Sequence, residues 1–138
     1  MPRAVLDTNV LISALISPGG PSAALLLELR AGAFELVVSP ALLAELREVL
    51  VRPKFRPYVT AAEVAAYLDL IEHAATMHED PPASGEKLSA DPDDEYLIDL
   101  ARAAAVDALV SGDSHLLDLR GVLPVMTPAE FLATLAAD

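Results

Sequence analysis

The stretch Arg3-Ala4-Val5-Leu6-Asp7-Thr8-Asn9-Val10-Leu11-Ile12 decides how the rest of the chain is read. Three apolar residues run into an acid, and a second apolar run resumes three residues later. Residues 4–6 are too few for a helix. They read as a strand buried on both faces, the pattern of a parallel-sheet centre. Asp7 then stands at the carboxyl end of that strand, where open α/β sheets form their ligand sites. Asp is also a favoured helix N-cap. On its own, Asp7 admits both readings.

Working outward, residues 10–16 form a short helix, and Ser17-Pro-Gly-Gly-Pro21 breaks it. Ser22 is expected to cap a second helix that runs through Arg30 and stops at Gly32. A strand over 34–38 leads into Ser39-Pro40, an N-cap followed by an N1 proline, and a helix to about Val51. Residues 52–57 make a basic, proline-punctuated loop. Thr60, with Glu63 in capping-box position, opens a helix to about Ala74. A strand over 76–78 and a loop over 79–90 follow. Asp91-Pro92 repeats the cap-plus-proline opening, with a helix to about Ala105. The remainder reads as a strand over 108–110, a helical turn over 115–119, a strand over 122–126 and a final helix from Thr127-Pro128 to about Ala136. Alternating strands and helices imply one domain over 1–138, a three-layer α/β/α sandwich on a mostly parallel central sheet.

Composition narrows the function. Apolar residues make up 54% of the chain and charged ones 22%, a globular balance. No apolar run approaches the roughly 18 residues of a membrane span. A strand begins almost at once, leaving no signal peptide to expect. The chain has no Cys, which excludes disulfides, thiolate zinc sites and a cysteine nucleophile. The expectation is a cytoplasmic protein. Twenty-one acids against nine bases give a formal charge of −12. That balance opposes nucleic-acid binding, unless several acids hold metal ions. What charge remains favours solubility or a basic partner protein.

Four acids share an address. Glu45 lies between Leu42 and Val49 on the apolar face of its helix, where a carboxylate is costly unless paired or metal-bound. Asp94, at the third helical position after Asp91, continues the core stripe of Leu97, Ile98 and Ala101 one turn earlier. A capping role alone would also explain it. Asp113 follows the strand over 108–110 as Asp7 follows the first. Gathered together, these carboxylates could not all stay ionised unaided. Two divalent ions would remove that cost, and all-oxygen ligands favour Mg²⁺ or Mn²⁺ over zinc. Such a site favours attack of a metal-activated water on a phosphodiester.

At these residues the chain resembles the PIN-domain family. The segments VLDTNVLISAL, SPALLAEL, DPDDEYLIDLA and LVSGDSHLL occur in the family's order and together span most of the chain. The likeness is to members regarded as toxins of toxin–antitoxin pairs, similar to the VapC type. It implies that Asp7, Glu45, Asp94 and Asp113 are the catalytic, metal-holding acids, with Asn9 and Ser111 supporting them by hydrogen bonds. It further implies a Mg²⁺- or Mn²⁺-dependent endoribonuclease acting on RNA, an antitoxin partner and a homodimer.

Arg52, Lys54 and Arg56 form the one dense basic patch, a candidate RNA contact or an ordinary solvated loop. A metal-activated water needs no imidazole, so His73, His78 and His115 are read as solvated, although His115 is close to Asp113. The aromatic residues are too dispersed for a stacking platform. A dehalogenase-type phosphatase would need an acid where Asn9 stands. A receiver domain would need paired acids after the first strand and a lysine near the last. The alternative from another class is a non-catalytic module whose acids bind a basic partner or structural metal.

Overall fold

The computed structural model describes residues 1–137. Five parallel strands, β1 (Arg3–Leu6), β2 (Glu35–Val38), β3 (Thr76–Met77), β4 (Ala108–Val110) and β5 (Val125–Met126), pair in the order β3-β2-β1-β4-β5. Seven α-helices surround them: α1 (Thr8–Ile16), α2 (Pro21–Arg30), α3 (Pro40–Leu50), α4 (Ala61–Ala74), α5 (Glu95–Ala103), α6 (Ser114–Leu117) and α7 (Pro128–Ala136). This is the expected three-layer α/β/α sandwich, with a wholly parallel sheet.

The first strand is central because its residues tolerate no water: Ala4, Val5 and Leu6 are buried between β2 and β4. From β1 the chain builds outward on one side through β2 and β3, then returns to the other side with β4 and β5. The order therefore reverses between β1 and β4, and a crevice opens at their carboxyl ends. The Asp7 N–H donates to the Val110 carbonyl at 2.9 Å, so the two strands stay paired up to that crevice. At the opposite end, Arg3 clamps the sheet. Its Nε lies 2.9 Å from Glu35 on β2, its guanidinium also donates to the Ala104 carbonyl, and its backbone N–H donates to Asp107 at 2.8 Å. Arg3 is thus a structural tie.

Several expected boundaries shift. Asp7 caps α1, which starts at Thr8, two residues earlier than the apolar pattern suggests. Ser22 does not cap α2: Gly20 is the cap, Pro21 is the first helical residue, and Ser22 is buried inside the first turn. Asp91 caps a 3-10 turn over Pro92–Asp94, and the α-helix begins only at Glu95. Strand β5 is two residues long. The N–H groups of Val122 and Leu123 both bond back to the Leu119 carbonyl, which prolongs a turn and leaves Val122 exposed.

Two helices end in the same hydrogen-bond pattern with different residues. After α2, Ala33 N–H reaches the Glu28 carbonyl and Gly32 N–H the Leu29 carbonyl, with Gly32 at φ +79. After α5, Val106 and Ala105 bond to Ala101 and Arg102 in the same way, but Ala105 takes φ 50 with a Cβ. The left-handed conformation disfavours that Cβ. Ala105→Gly should accordingly raise unfolding free energy by about 0.5–1 kcal/mol, and Gly32→Ala lower it by about 1 kcal/mol, in urea denaturation.

Candidate active site

The crevice between β1 and β4 is built around Asp7, which is only 4% exposed. Its Oδ2 accepts a hydrogen bond from Ser111 Oγ at 2.8 Å. Its Oδ1 accepts from Asn9 N–H and Thr8 Oγ1, both at 3.3 Å. Ser111 is wholly buried where β4 ends, and its Oγ also accepts the Asp113 N–H at 3.0 Å. One hydroxyl therefore links the acids at the ends of two adjacent strands. Asp113 in turn caps α6, accepting the His115 N–H at 2.9 Å.

The helices supply the other two acids. Asp94 lies in the 3-10 turn before α5, 7% exposed, and its Oδ2 accepts from Ser89 Oγ at 3.0 Å. The Asp91 N–H donates to that same serine oxygen at 3.2 Å. Glu95 accepts the Ser89 N–H at 2.9 Å, and Asp99 the Ser84 N–H at 3.3 Å. Acids off the apolar stripe thus hold the preceding loop against α5. Half-buried Glu45, in the middle of α3, accepts a hydrogen bond from the Tyr96 hydroxyl on α5.

Asp7, Glu45, Asp94 and Asp113 all line one cleft of about 330 Å³, so the structure brings the four expected acids together. Asn9, Asp91 and Asp93 share that cleft, as do Arg52 and Lys54 at its basic rim. Arg56 is exposed and does not line it. Arg52 lies 3.8 Å from Glu48, and Lys54 sits 5.1 Å above the Phe55 ring. Ser111 supports Asp7 through its side chain, whereas Asn9 does so through its backbone.

One close group of donor atoms differs from the expected quartet. Oxygens of Asp91, Asp94 and Asp113 and a ring nitrogen of His115 all lie within 4.8 Å of one another. Asp91 reads in sequence as a cap, which it also is. His115 is half-exposed, but its Nδ1 stands 3.7 Å from Asp113, so it is nearer the acids than a simply solvated histidine would be. Ser89 and Tyr96 carry no sequence signal beyond their polarity, because each acts across a fold contact.

Electrostatics mark the cleft as under-neutralised. Among the described residues, none of the four acids forms an ion pair with Lys or Arg. Burial pushes the Asp7 carboxyl up, against the hydrogen bonds from Ser111, Asn9 and Thr8, and the charge of Asp113 adds to the rise. Asp94 is pushed up to about 6, mainly by burial; the Ser89 hydrogen bond opposes this, and Asp113, Asp91 and Asp7 reinforce it. Burial, and then Glu45, raise the Tyr96 phenol and keep it a donor. Hard carboxylate oxygens with unbalanced charge fit Mg²⁺ or Mn²⁺. One imidazole at the edge suits Mn²⁺ as well.

A sequence profile of the family described as "PIN domain" matches residues 3–115, a span that includes all four acids. The fold is similar to the crystal structure of PAE2754 from Pyrobaculum aerophilum, at TM-score 0.68 and 18% identity, over 99% of this chain and 97% of that one. It is also similar to VapBC2 from Rickettsia felis, solved bound to a DNA fragment from the pair's promoter. That match has TM-score 0.62 and 17% identity, over 91% of this chain and 98% of that one. No curated protein matches the sequence.

Two outcomes follow from the site's charges and donors. A carboxyl raised in the folded state favours its neutral form, so Asp94 costs stability as pH climbs from about 4 through about 6 and above. In EDTA at pH 7, Asp94→Asn should melt higher than the unsubstituted protein, and saturating Mn²⁺ should reverse that order. Tyr96→Phe leaves Glu45 without its donor; calorimetry should then show Mn²⁺ affinity reduced about tenfold, with the fold retained by circular dichroism.

Proposed function

The chain belongs to the PIN-domain family, and from that premise we propose that it is a Mg²⁺- or Mn²⁺-dependent endoribonuclease, with 1–138 as one catalytic domain. The observation that carries this reading is the convergence of Asp7, Glu45, Asp94 and Asp113 on one cleft with no Lys or Arg paired to them. A structural ion-pair network would have paired lysine or arginine with these acids. Asp7, Glu45, Asp94 and Asp113 would hold the metal, joined at the edge by Asp91 and His115. Divalent ions bound in this cleft would lower the pKa of an attacking water and stabilise the leaving oxygen of an RNA phosphodiester.

The chain's own residues do the positioning. Ser111, Ser89 and Tyr96 each donate to one carboxylate, limiting how it can turn within the cleft. Asp7 is anchored at both oxygens, so it can orient but barely move. Arg52 and Lys54 at the rim attract the phosphate backbone toward an otherwise acidic surface, a local exception to the overall charge. Arg56, outside the cleft, is left to contact RNA further along.

The charge of −12 also supports a partner. We assign this chain the toxin role in a toxin–antitoxin pair, a reading that the fold shared with the Rickettsia VapBC2 protein supports. The antitoxin would present basic side chains to the acidic cleft, and the toxin would act as a homodimer. None of the described helices is alone long and apolar enough to cross a membrane, in keeping with a cytoplasmic RNA substrate.

Incubating the purified protein with a mixed structured RNA tests the reading. Cleavage should require Mg²⁺ or Mn²⁺, cease in EDTA, and fall by at least about a hundredfold in Asp7→Asn. Equal cutting in EDTA, or by the variant, would refute it.

A further inference from the structure

We propose that the groove beyond Asn9 and Asp113 is a second substrate subsite, one that takes the nucleoside next to the phosphate held over the carboxylates. This rests on the ribonuclease reading and deepens it. The groove has a volume of about 440 Å³, within the range of small-molecule sites. Asn9 and Asp113 line both it and the acidic cleft, so the two hollows meet at those residues and form one path. Ser13 stands one turn beyond Asn9 on the same face of α1, and Ser22 faces it from α2. Gly112 and Pro128 also line it.

Ser22 is the independent sign of a ligand. It is 6% exposed, yet its hydroxyl makes no hydrogen bond to any described residue. It does not cap α2, since Gly20 holds that position. A hydroxyl with no partner in the fold is free to bond to whatever occupies the hollow it reaches. No fully enclosed side-chain oxygen or nitrogen among the described residues lacks a partner. The Ser22 Oγ must therefore open to solvent, and the hollow it lines is this groove.

The lining chemistry selects the ligand. The groove has no Lys, Arg or His, and its one charged residue is the acid Asp113, so a second phosphate would be repelled. Two serine hydroxyls and the Asn9 carboxamide offer donors and acceptors to a ribose and to base edges. Val10 and Pro128 offer apolar surface to the face of a base. Among the residues that line the two hollows, the cations are Arg52 and Lys54, and both belong to the acidic cleft. The path thus has a direction: the backbone enters over the basic rim, the reacting phosphate lies over the acids, and the nucleoside beyond it rests between Ser13 and Ser22.

Two variants test the subsite: Ser13→Leu fills the groove, and Ser22→Ala removes only the hydroxyl. Binding of a short fluorescein-labelled RNA is read by anisotropy, with Ca²⁺ replacing Mn²⁺ to suppress turnover. Mn²⁺ affinity is read separately by calorimetry. Ser13→Leu should weaken RNA binding about tenfold and Ser22→Ala about threefold, with Mn²⁺ affinity unchanged in both. RNA should also shift the backbone amide resonances of Ser13, Ser22 and Gly112 in the unsubstituted protein. If Ser13→Leu does not fold, Ser22→Ala and the resonance shifts decide. RNA that binds both variants as it binds the parent, or shifts confined to the acidic cleft, would overturn the subsite and leave the nuclease reading standing. A parent protein that binds neither Mn²⁺ nor RNA would overturn both.

Discussion

The Ser111 hydroxyl, fully buried where β4 ends, donates to Asp7 and accepts from the Asp113 backbone. Much of the molecule exists to make that arrangement possible. The two acids lie 106 residues apart in sequence, and only the parallel pairing of β1 with β4 brings them together. A lysine in place of the serine would pair with Asp7 and compete with any cation for it. A hydroxyl instead holds the carboxylate in place and leaves it able to take up a cation. Ser89 does the same for Asp94, and Tyr96 for Glu45. Neutral donors behind carboxylates are the repeated device of the cleft.

This device explains how a chain of charge −12 can fold around a knot of acids. Each buried carboxylate keeps at least one hydrogen bond, which offsets part of its desolvation without a paired lysine or arginine. The acids outside the cleft have other tasks. Glu95 and Asp99 tether the loop that carries Ser89, so the donor for Asp94 is itself held by acids of α5. Negative charge here is shared between the cleft and the scaffold that surrounds it.

The sequence made the fold legible because its signals are local and repeated. Ser39-Pro40, Thr60 with Glu63, and Thr127-Pro128 cap helices as their spacing predicts. The four acids were legible too, each either following an apolar run or interrupting an apolar stripe. What stayed hidden depends on contacts distant in sequence. Ser22 looks like a cap because serine usually is one, but Gly20-Pro21 already starts that helix. Tyr96 reaches Glu45 across 51 residues, a pairing no periodicity could register. His115 approaches the acids only because α6 begins at Ser114 and turns its ring toward Asp113. The strand over 122–126 shrank because Leu119 captured two of its amides.

Arg3 stands at the other end of the sheet from all of this chemistry, tied to Glu35, Ala104 and Asp107. A β-strand advances about 3.3 Å per residue, and a slip of one residue also turns every side chain to the opposite face. β1 has four residues, too few for its apolar side chains alone to specify alignment strongly. The Arg3 tie acts as an indexing pin: with that end fixed against both neighbouring strands, Asp7 can only emerge level with Ser111. Alignment at the cleft is therefore set at the strand's far end, by a residue that never meets a substrate.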